Sequence, residues 1–172
     1  MNRKGNGIMI HDFKEAMGSY PTGVTVVTTK TEEGNPVGMT VNSFTSVSIE
    51  PLLVSWSIDK RSGSLEFFMD ANRFAVNILA ADQADICWTF ASRDETDRFG
   101  KTEWTDTEYD LPVIDGAFAQ FECRKVQQIE AGDHYILIGE VQKITKKDKE
   151  PLLYYKREIG PIEDIAKKLK DS

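Results

Sequence analysis

The chain is short of the residue types on which much enzyme chemistry depends. Its only cysteines are Cys87 and Cys123 and its only histidines are His11 and His134. Two distant cysteines without a CxxC spacing argue against a disulfide scaffold and read as reduced thiols packed in apolar surroundings. So few soft ligands leave a zinc site unsupported, and no metal is expected. No apolar run approaches the about 20 residues of a membrane helix. The N-terminal Met1-Asn-Arg-Lys-Gly-Asn-Gly-Ile8 lacks the apolar core of a secretory signal, so a cytoplasmic location is the expectation. Neither GxGxxG nor GxxxxGK[ST] occurs, and no Ser-His-Asp order, carboxylate pair or nucleophile elbow can be singled out.

Positive charge is also in short supply. Against 28 acidic residues stand 21 Lys and Arg, a net charge of −7. Such a chain repels phosphate backbones, which disfavours nucleic acid as a partner; a small phosphorylated ligand needs only a few local donors.

What is present is a 172-residue chain of ordinary globular composition, long enough for one domain with a real core. Strands are expected at Gly23–Thr29, Val37–Ser48, Leu52–Ile58, Phe74–Leu79, Phe118–Ile129, Tyr135–Ile144 and Pro151–Tyr155, from β-branching and alternation. Short helices are expected at His11–Tyr20, Ser64–Met69 and Gln83–Ala91, the last with Asp82 as N-cap and Ala84, Cys87 and Trp88 on one face. Residues 1–10 read as a flexible segment, and Ile162, Ile165, Ala166 and Leu169 mark an amphipathic helix within residues 158–172. Strands without a βαβ rhythm point to a mainly β, antiparallel barrel with helical decoration.

Three segments carry polar chemistry. Gly38-Met-Thr-Val-Asn-Ser-Phe-Thr-Ser-Val-Ser48 sets Thr40, Asn42, Ser43, Thr45, Ser46 and Ser48 in an apolar background. Buried, these groups would need partners, and a polar heteroaromatic ligand would supply them; solvated, they are an ordinary strand edge or turn. Ser55-Trp-Ser-Ile-Asp-Lys-Arg-Ser-Gly-Ser64 places Lys60, Arg61 and serines where a strand feeds a helix, either an anion site or a capped surface turn. His134 follows Gly132-Asp133 in a tight turn between two strands, and turn histidines are both functional and incidental.

A family resemblance bears on these alternatives. Tyr20-Pro-Thr-Gly-Val-Thr-Val-Val-Thr28, the Gly38–Ser48 run, Pro51-Leu-Leu-Val-Ser55, Phe74-Ala-Val-Asn-Ile-Leu79, Arg98-Phe99, Leu111-Pro-Val-Ile-Asp-Gly116, Gly132-Asp-His134 and Pro151-Leu-Leu-Tyr-Tyr155 stand in that order. Over residues 11–157 the chain resembles the short-chain flavin reductases, the reductase components of two-component flavin-dependent monooxygenases. The resemblance implies an antiparallel Greek-key split β-barrel that binds FMN or FAD, dimerises, and takes NADH or NADPH as reductant. It puts Thr40, Val41, Asn42, Ser43, Ser46 and Val47 along the flavin ring and ribityl chain, with Pro21 and Thr22 bordering the ring. Ser57, Lys60, Ser62 and Ser64 would hold the phosphate; Asn77, Gln83, Arg98 and Phe99 would touch the flavin tail. His134 would orient the nicotinamide. The expectation is a flavin reductase feeding a monooxygenase; a flavin-holding electron-transfer protein without NAD(P)H turnover is the alternative, and a purely structural dimer the bland one.

Overall fold

The computed structural model describes residues 3–170. In chain order its elements are α1 (Arg3–Gly18), β1 (Thr22–Gly23), β2 (Thr25–Lys30), β3 (Pro36–Val41), β4 (Thr45–Ile49), β5 (Leu52–Asp59), α2 (Leu65–Asp70) and β6 (Arg73–Ile78). They continue with α3 (Ala84–Ala91), β7 (Trp104–Asp106), β8 (Pro112–Ile114), β9 (Ala119–Ala131), β10 (His134–Lys146), β11 (Leu153–Tyr155), β12 (Glu158–Gly160) and α4 (Ile162–Lys170).

One antiparallel sheet dominates, in the order β3-β2-β6-β9-β10-β5-β4. Laid flat, seven strands would span about 29 Å between edges at ~4.8 Å per gap. Instead, Val27, Val41, Val54, Trp56, Ile58, Phe74, Val76, Cys123 and Leu137, from six of its strands, gather into one buried cluster. The sheet therefore curls around its own core as a split barrel, and its two edge strands, β3 and β4, leave the seam. Strand β5 shows the period that builds this core: Val54, Trp56 and Ile58 are buried while their neighbours are not.

Strand β2 behaves differently. Thr25 to Thr29 are all buried, because the strand is covered on both faces. A second cluster (Val24, Val26, Leu79, Cys87, Phe90, Ile114 and Leu152) packs α3 and the 99–114 segment against its outer face. The buried threonines are satisfied: Thr25 Oγ1 donates to the Val41 carbonyl at 3.0 Å and Thr29 Oγ1 to that of Arg73 at 2.9 Å.

Several expectations need correcting. The expected strand Val37–Ser48 is two strands, broken by a bend over 42–44 that sends β3 and β4 to opposite edges of the sheet. The helix expected from His11 begins at Arg3, so residues 3–10 of the flexible segment are helical; Ile10, Phe13 and Met17 carry one apolar stripe along it. Asp82 does not cap α3: the N-cap position is Gln83, without a side-chain cap bond, and Asp82 accepts from Lys149 Nζ at 3.0 Å. Cys87 and Phe90 face the core on α3, while Trp88 is 58% exposed. Between α3 and β8, a stretch with no strand among the expected ones, lies β7, and the expected C-terminal unit opens with β12, which pairs with β11. Residues 1, 2, 171 and 172 of the expected terminal segments lie outside the described residues, as does the Leu169 side chain.

Candidate functional site

Three segments enclose a groove of about 890 Å³. One wall is Asn35 to Thr40 with β3; the second is the Asp59–Ser64 turn with Phe67 of α2; the third is Phe90 to Phe99, beyond α3. Gly38 makes the close approach of α3 possible: a Cβ there would come within 2.7 Å of the Phe90 ring. Phe90 stacks edge-on to Phe99 at 5.1 Å, and Phe99 to Trp104 at 5.5 Å, so the third wall stands on an aromatic ladder. A smaller, mostly apolar cavity of about 230 Å³ lies between Val24, Val41, Asn42, Cys87, Trp88, Tyr154 and Ile159. Thr40 lines both cavities.

Of the expected site residues, Thr40, Ser62, Ser64, Arg98 and Phe99 line the groove, and Thr40, Val41 and Asn42 line the smaller cavity. Ser43 and Ser57 meet each other: the Ser57 N–H donates to Ser43 Oγ at 2.9 Å, tying the 42–44 bend to β5. Ser46 and Val47 are exposed on edge strand β4 and border neither cavity. Pro21 is exposed; Thr22 pairs with Tyr154, a wall of the smaller cavity, and its Oγ1 is buried without a hydrogen-bond partner.

Two expected tail contacts are structural. Asn77 is wholly buried; its Nδ2 donates to the Val26 carbonyl at 2.9 Å and its Oδ1 accepts the Ile114 N–H at 2.9 Å. Gln83 accepts the Ala80 N–H at 3.0 Å and donates to the Asp115 carbonyl at 2.7 Å. Neither borders the groove, because both side chains serve the backbone around them.

The Asp-Lys-Arg turn divides its two cations. Lys60 turns away from the groove, pairs with Glu130 and lies 5.4 Å above the Tyr135 ring; the Glu130 hydrogen bond raises its pKa. Arg61 lines the groove instead. Its Nη2 donates to Asp59 Oδ2 at 2.7 Å and its Nε to Oδ1 at 3.1 Å. The Arg61 side-chain bonds, followed by its backbone N–H, hold the Asp59 carboxyl far below the usual carboxylate range, so Asp59 stays ionised. The six-residue α2 offers no long helix behind the turn; the donors here are the Ser62 and Ser64 hydroxyls and Arg61.

His134 stands opposite Asp59 in the β5–β10 ladder, one strand away from the groove wall. Its Nδ1 lies 2.7 Å from Asp133 Oδ1, an acceptor that favours the Nδ1–H form and points Nε2 elsewhere. The turn before it needs Gly132, whose φ of 62° suits a two-residue hairpin loop. Asp59, Phe67 and Arg93 were not singled out by sequence reading, whereas Arg61 was named there as a cation of the candidate anion turn.

The groove mixes arginines and hydroxyls with aromatic and aliphatic surface, the side cavity is mostly apolar, and its one thiol, Cys87, is held protonated by burial, so the arrangement suits holding a ligand. The chain belongs to the flavin reductase like domain family, which matches residues 17–163. It is 47% identical over 147 residues to the reductase component of the flavin-dependent trigonelline monooxygenase of Acinetobacter baylyi, covering 86% of this chain and 47% of that protein. It is 44% identical to the FMN reductase (NADH) SmoA of Agrobacterium fabrum, covering 83% of this chain and 80% of that one. The chain thus spans about half the length of the first of these relatives and four-fifths of the second. Among solved structures, the NADH:FAD oxidoreductase SgcE6 of Streptomyces globisporus, in complex with NAD and FAD fragments, matches with a TM-score of 0.82 at 36% identity, over 87% of this chain and 90% of that chain.

Proposed function

We propose that the protein is an NAD(P)H:flavin oxidoreductase that transfers a hydride from NADH or NADPH to FMN or FAD and supplies the reduced flavin to a monooxygenase. The observation that carries this reading is the adjacency at Thr40, where an arginine-bearing groove of mixed polar and apolar lining adjoins a mostly apolar cavity. A flavin has that character, an oily ring system at one end and an anionic tail at the other. An orphaned buried donor on a groove-lining residue, Arg98 Nε, fits a ligand rich in acceptors.

Hydride transfer between two stacked ring systems is chemistry that the bound flavin and nicotinamide supply. The protein's part is to position them, at about 3–3.5 Å between reacting atoms. In this reading Thr40, Val41 and Asn42 flank the ring, and Arg61, Ser62 and Ser64 take the phosphate. His134, steadied by Asp133, orients the nicotinamide. Ionised Asp59 fixes the Arg61 guanidinium through two hydrogen bonds, and both residues line the groove. The relatives' roles as monooxygenase reductase components support an oxygenase as recipient.

A homodimer belongs to the same proposal. On α1, Ile8, Met9, Ile10, Phe13 and Met17 are each at least half exposed, more apolar surface than a lone helix carries without a partner. The alternative of a flavin-holding electron-transfer protein makes a different forecast for His134→Ala. A reductase should lose nicotinamide use, seen as a KM raised about tenfold, while flavin affinity is retained; loss of flavin affinity instead would refute the assignment of His134.

A further inference from the structure

We infer that the groove holds the adenosine diphosphate half of a dinucleotide and that the dinucleotide is FAD, so that the protein selects FAD over FMN. This rests on the flavin reading above. The first observation is size. At about 890 Å³ the groove is nearly four times the volume of the neighbouring cavity and near the upper end of the ~300–1,000 Å³ usual for small-molecule sites. A single phosphate held by the Ser62–Ser64 turn would leave most of it to water.

The second observation is charge. The groove is lined by Arg61, Arg93 and Arg98 against Asp59 and Asp97, an excess of one positive charge on a chain of net −7. Both acids are already engaged within the chain, Asp59 by Arg61 and Asp97 by the Gly100 N–H at 3.1 Å. The two arginines of the third wall are not fully answered. Arg98 gives Nη2 to the Ser92 carbonyl at 2.6 Å, yet its Nε is buried without an acceptor, and Arg93 has no ion pair or hydrogen bond among the described residues. FMN brings one phosphate, for which the Ser62–Ser64 turn suffices. A second phosphate answers the arginines on the facing wall.

The third observation is an open aromatic face. Of the three phenylalanines that line the groove, Phe67 is the exposed one, at 41%, while Phe90 is buried and Phe99 half-buried. A purine stacks on such a face regardless of hydrogen-bond pattern. Adenosine diphosphate is common to FAD and NADH. Thr40 and Ala91 line both the groove and the smaller cavity, so the two sites adjoin, and a dinucleotide with its ring in one and its adenosine diphosphate in the other assigns the groove to the flavin.

The test is a pair of flavin fluorescence titrations on the full chain, with FAD and with FMN and no nicotinamide present, repeated on Arg93→Ala. Arg93 is exposed and has no partner among the described residues, so the variant should fold as the parent does. FAD should bind at least tenfold more tightly than FMN, and Arg93→Ala should remove most of that advantage without changing FMN affinity. Equal affinities for the two flavins would overturn the inference while leaving the flavin reading intact. A KM for NADH raised by Arg93→Ala in the FMN-supported reaction would also overturn it, assigning the groove to the nicotinamide dinucleotide. Failure to bind either flavin would overturn the flavin reading itself, and this inference with it.

Discussion

Thr40 Oγ1 donates a 2.7 Å hydrogen bond to the carbonyl of Cys87, joining the edge strand β3 to α3 at the wall shared by the two cavities. The hydroxyl's proton is thereby committed to the protein, and its lone pairs are what it can offer a ligand. Thr40 thus holds the site's shape and presents an acceptor to it.

Thr40→Val keeps the volume and removes the bond. A neutral hydrogen bond of this kind contributes about 1 kcal/mol, which for a domain of this size lowers Tm by roughly 2–4 °C. Flavin affinity should fall about fivefold in the same variant. Calorimetry and a flavin titration read the two effects separately.

Asn77→Ala should behave in the opposite proportion. The substitution leaves the buried Ile114 N–H and Val26 carbonyl without their side-chain partner. That costs about 2–3 kcal/mol of stability. Flavin affinity per folded molecule should be unchanged, because Asn77 borders neither cavity. Denaturant unfolding followed by a titration of the folded fraction checks both halves.

The two neighbouring cations of the turn should separate cleanly. Lys60→Met disturbs an exposed pair with Glu130 and should leave flavin affinity within twofold. Arg61→Met removes a guanidinium from the groove and frees Asp59 to repel an anion, so affinity should drop tenfold or more. Isothermal titration of both variants with the same flavin measures the contrast.

Legibility in the sequence followed the physics of each segment. Strand β5 was plain because one face is core and the other is not, so Val54, Trp56 and Ile58 alternate with polar or less buried residues. The extent of α1 was hidden by Gly5 and Gly7, poor helix formers just ahead of its apolar stripe. The Asp59–Ser64 turn was visible as a cluster of donors, yet which of Lys60 and Arg61 enters the groove is settled by how the turn leaves β5 and meets the β9–β10 hairpin. Asn77 and Gln83 mark the limit of resemblance: both residue types fit a binding role, and both are spent on buried backbone. The third wall of the groove is irregular chain with no period to read, so Arg93 carried no signal.

The thiols give a pH-dependent prediction. Burial pushes Cys87 up to about 11, and burial with the neighbouring Glu122 pushes Cys123 up to about 12. Neither should react with a thiol reagent in the native protein at pH 8, and both should react on unfolding. The raised values make the folded state hold its protons more tightly than the unfolded one, whose thiols ionise near pH 8.5. The associated stability is therefore full below that pH and lost progressively from about pH 9 to 12. Unfolding midpoints across that range should decline, and the decline should be shallower in a Cys87→Ala, Cys123→Ala variant.

The central claim is that bound cofactors, not side chains, carry the reaction. The most direct measurement is nicotinamide oxidation by the purified, flavin-stripped protein with and without added flavin, following nicotinamide absorbance. Oxidation of NADH or NADPH should be negligible alone and saturate with added FMN or FAD. Absence of oxidation with either flavin and either nicotinamide, in a protein that binds flavin, would contradict it.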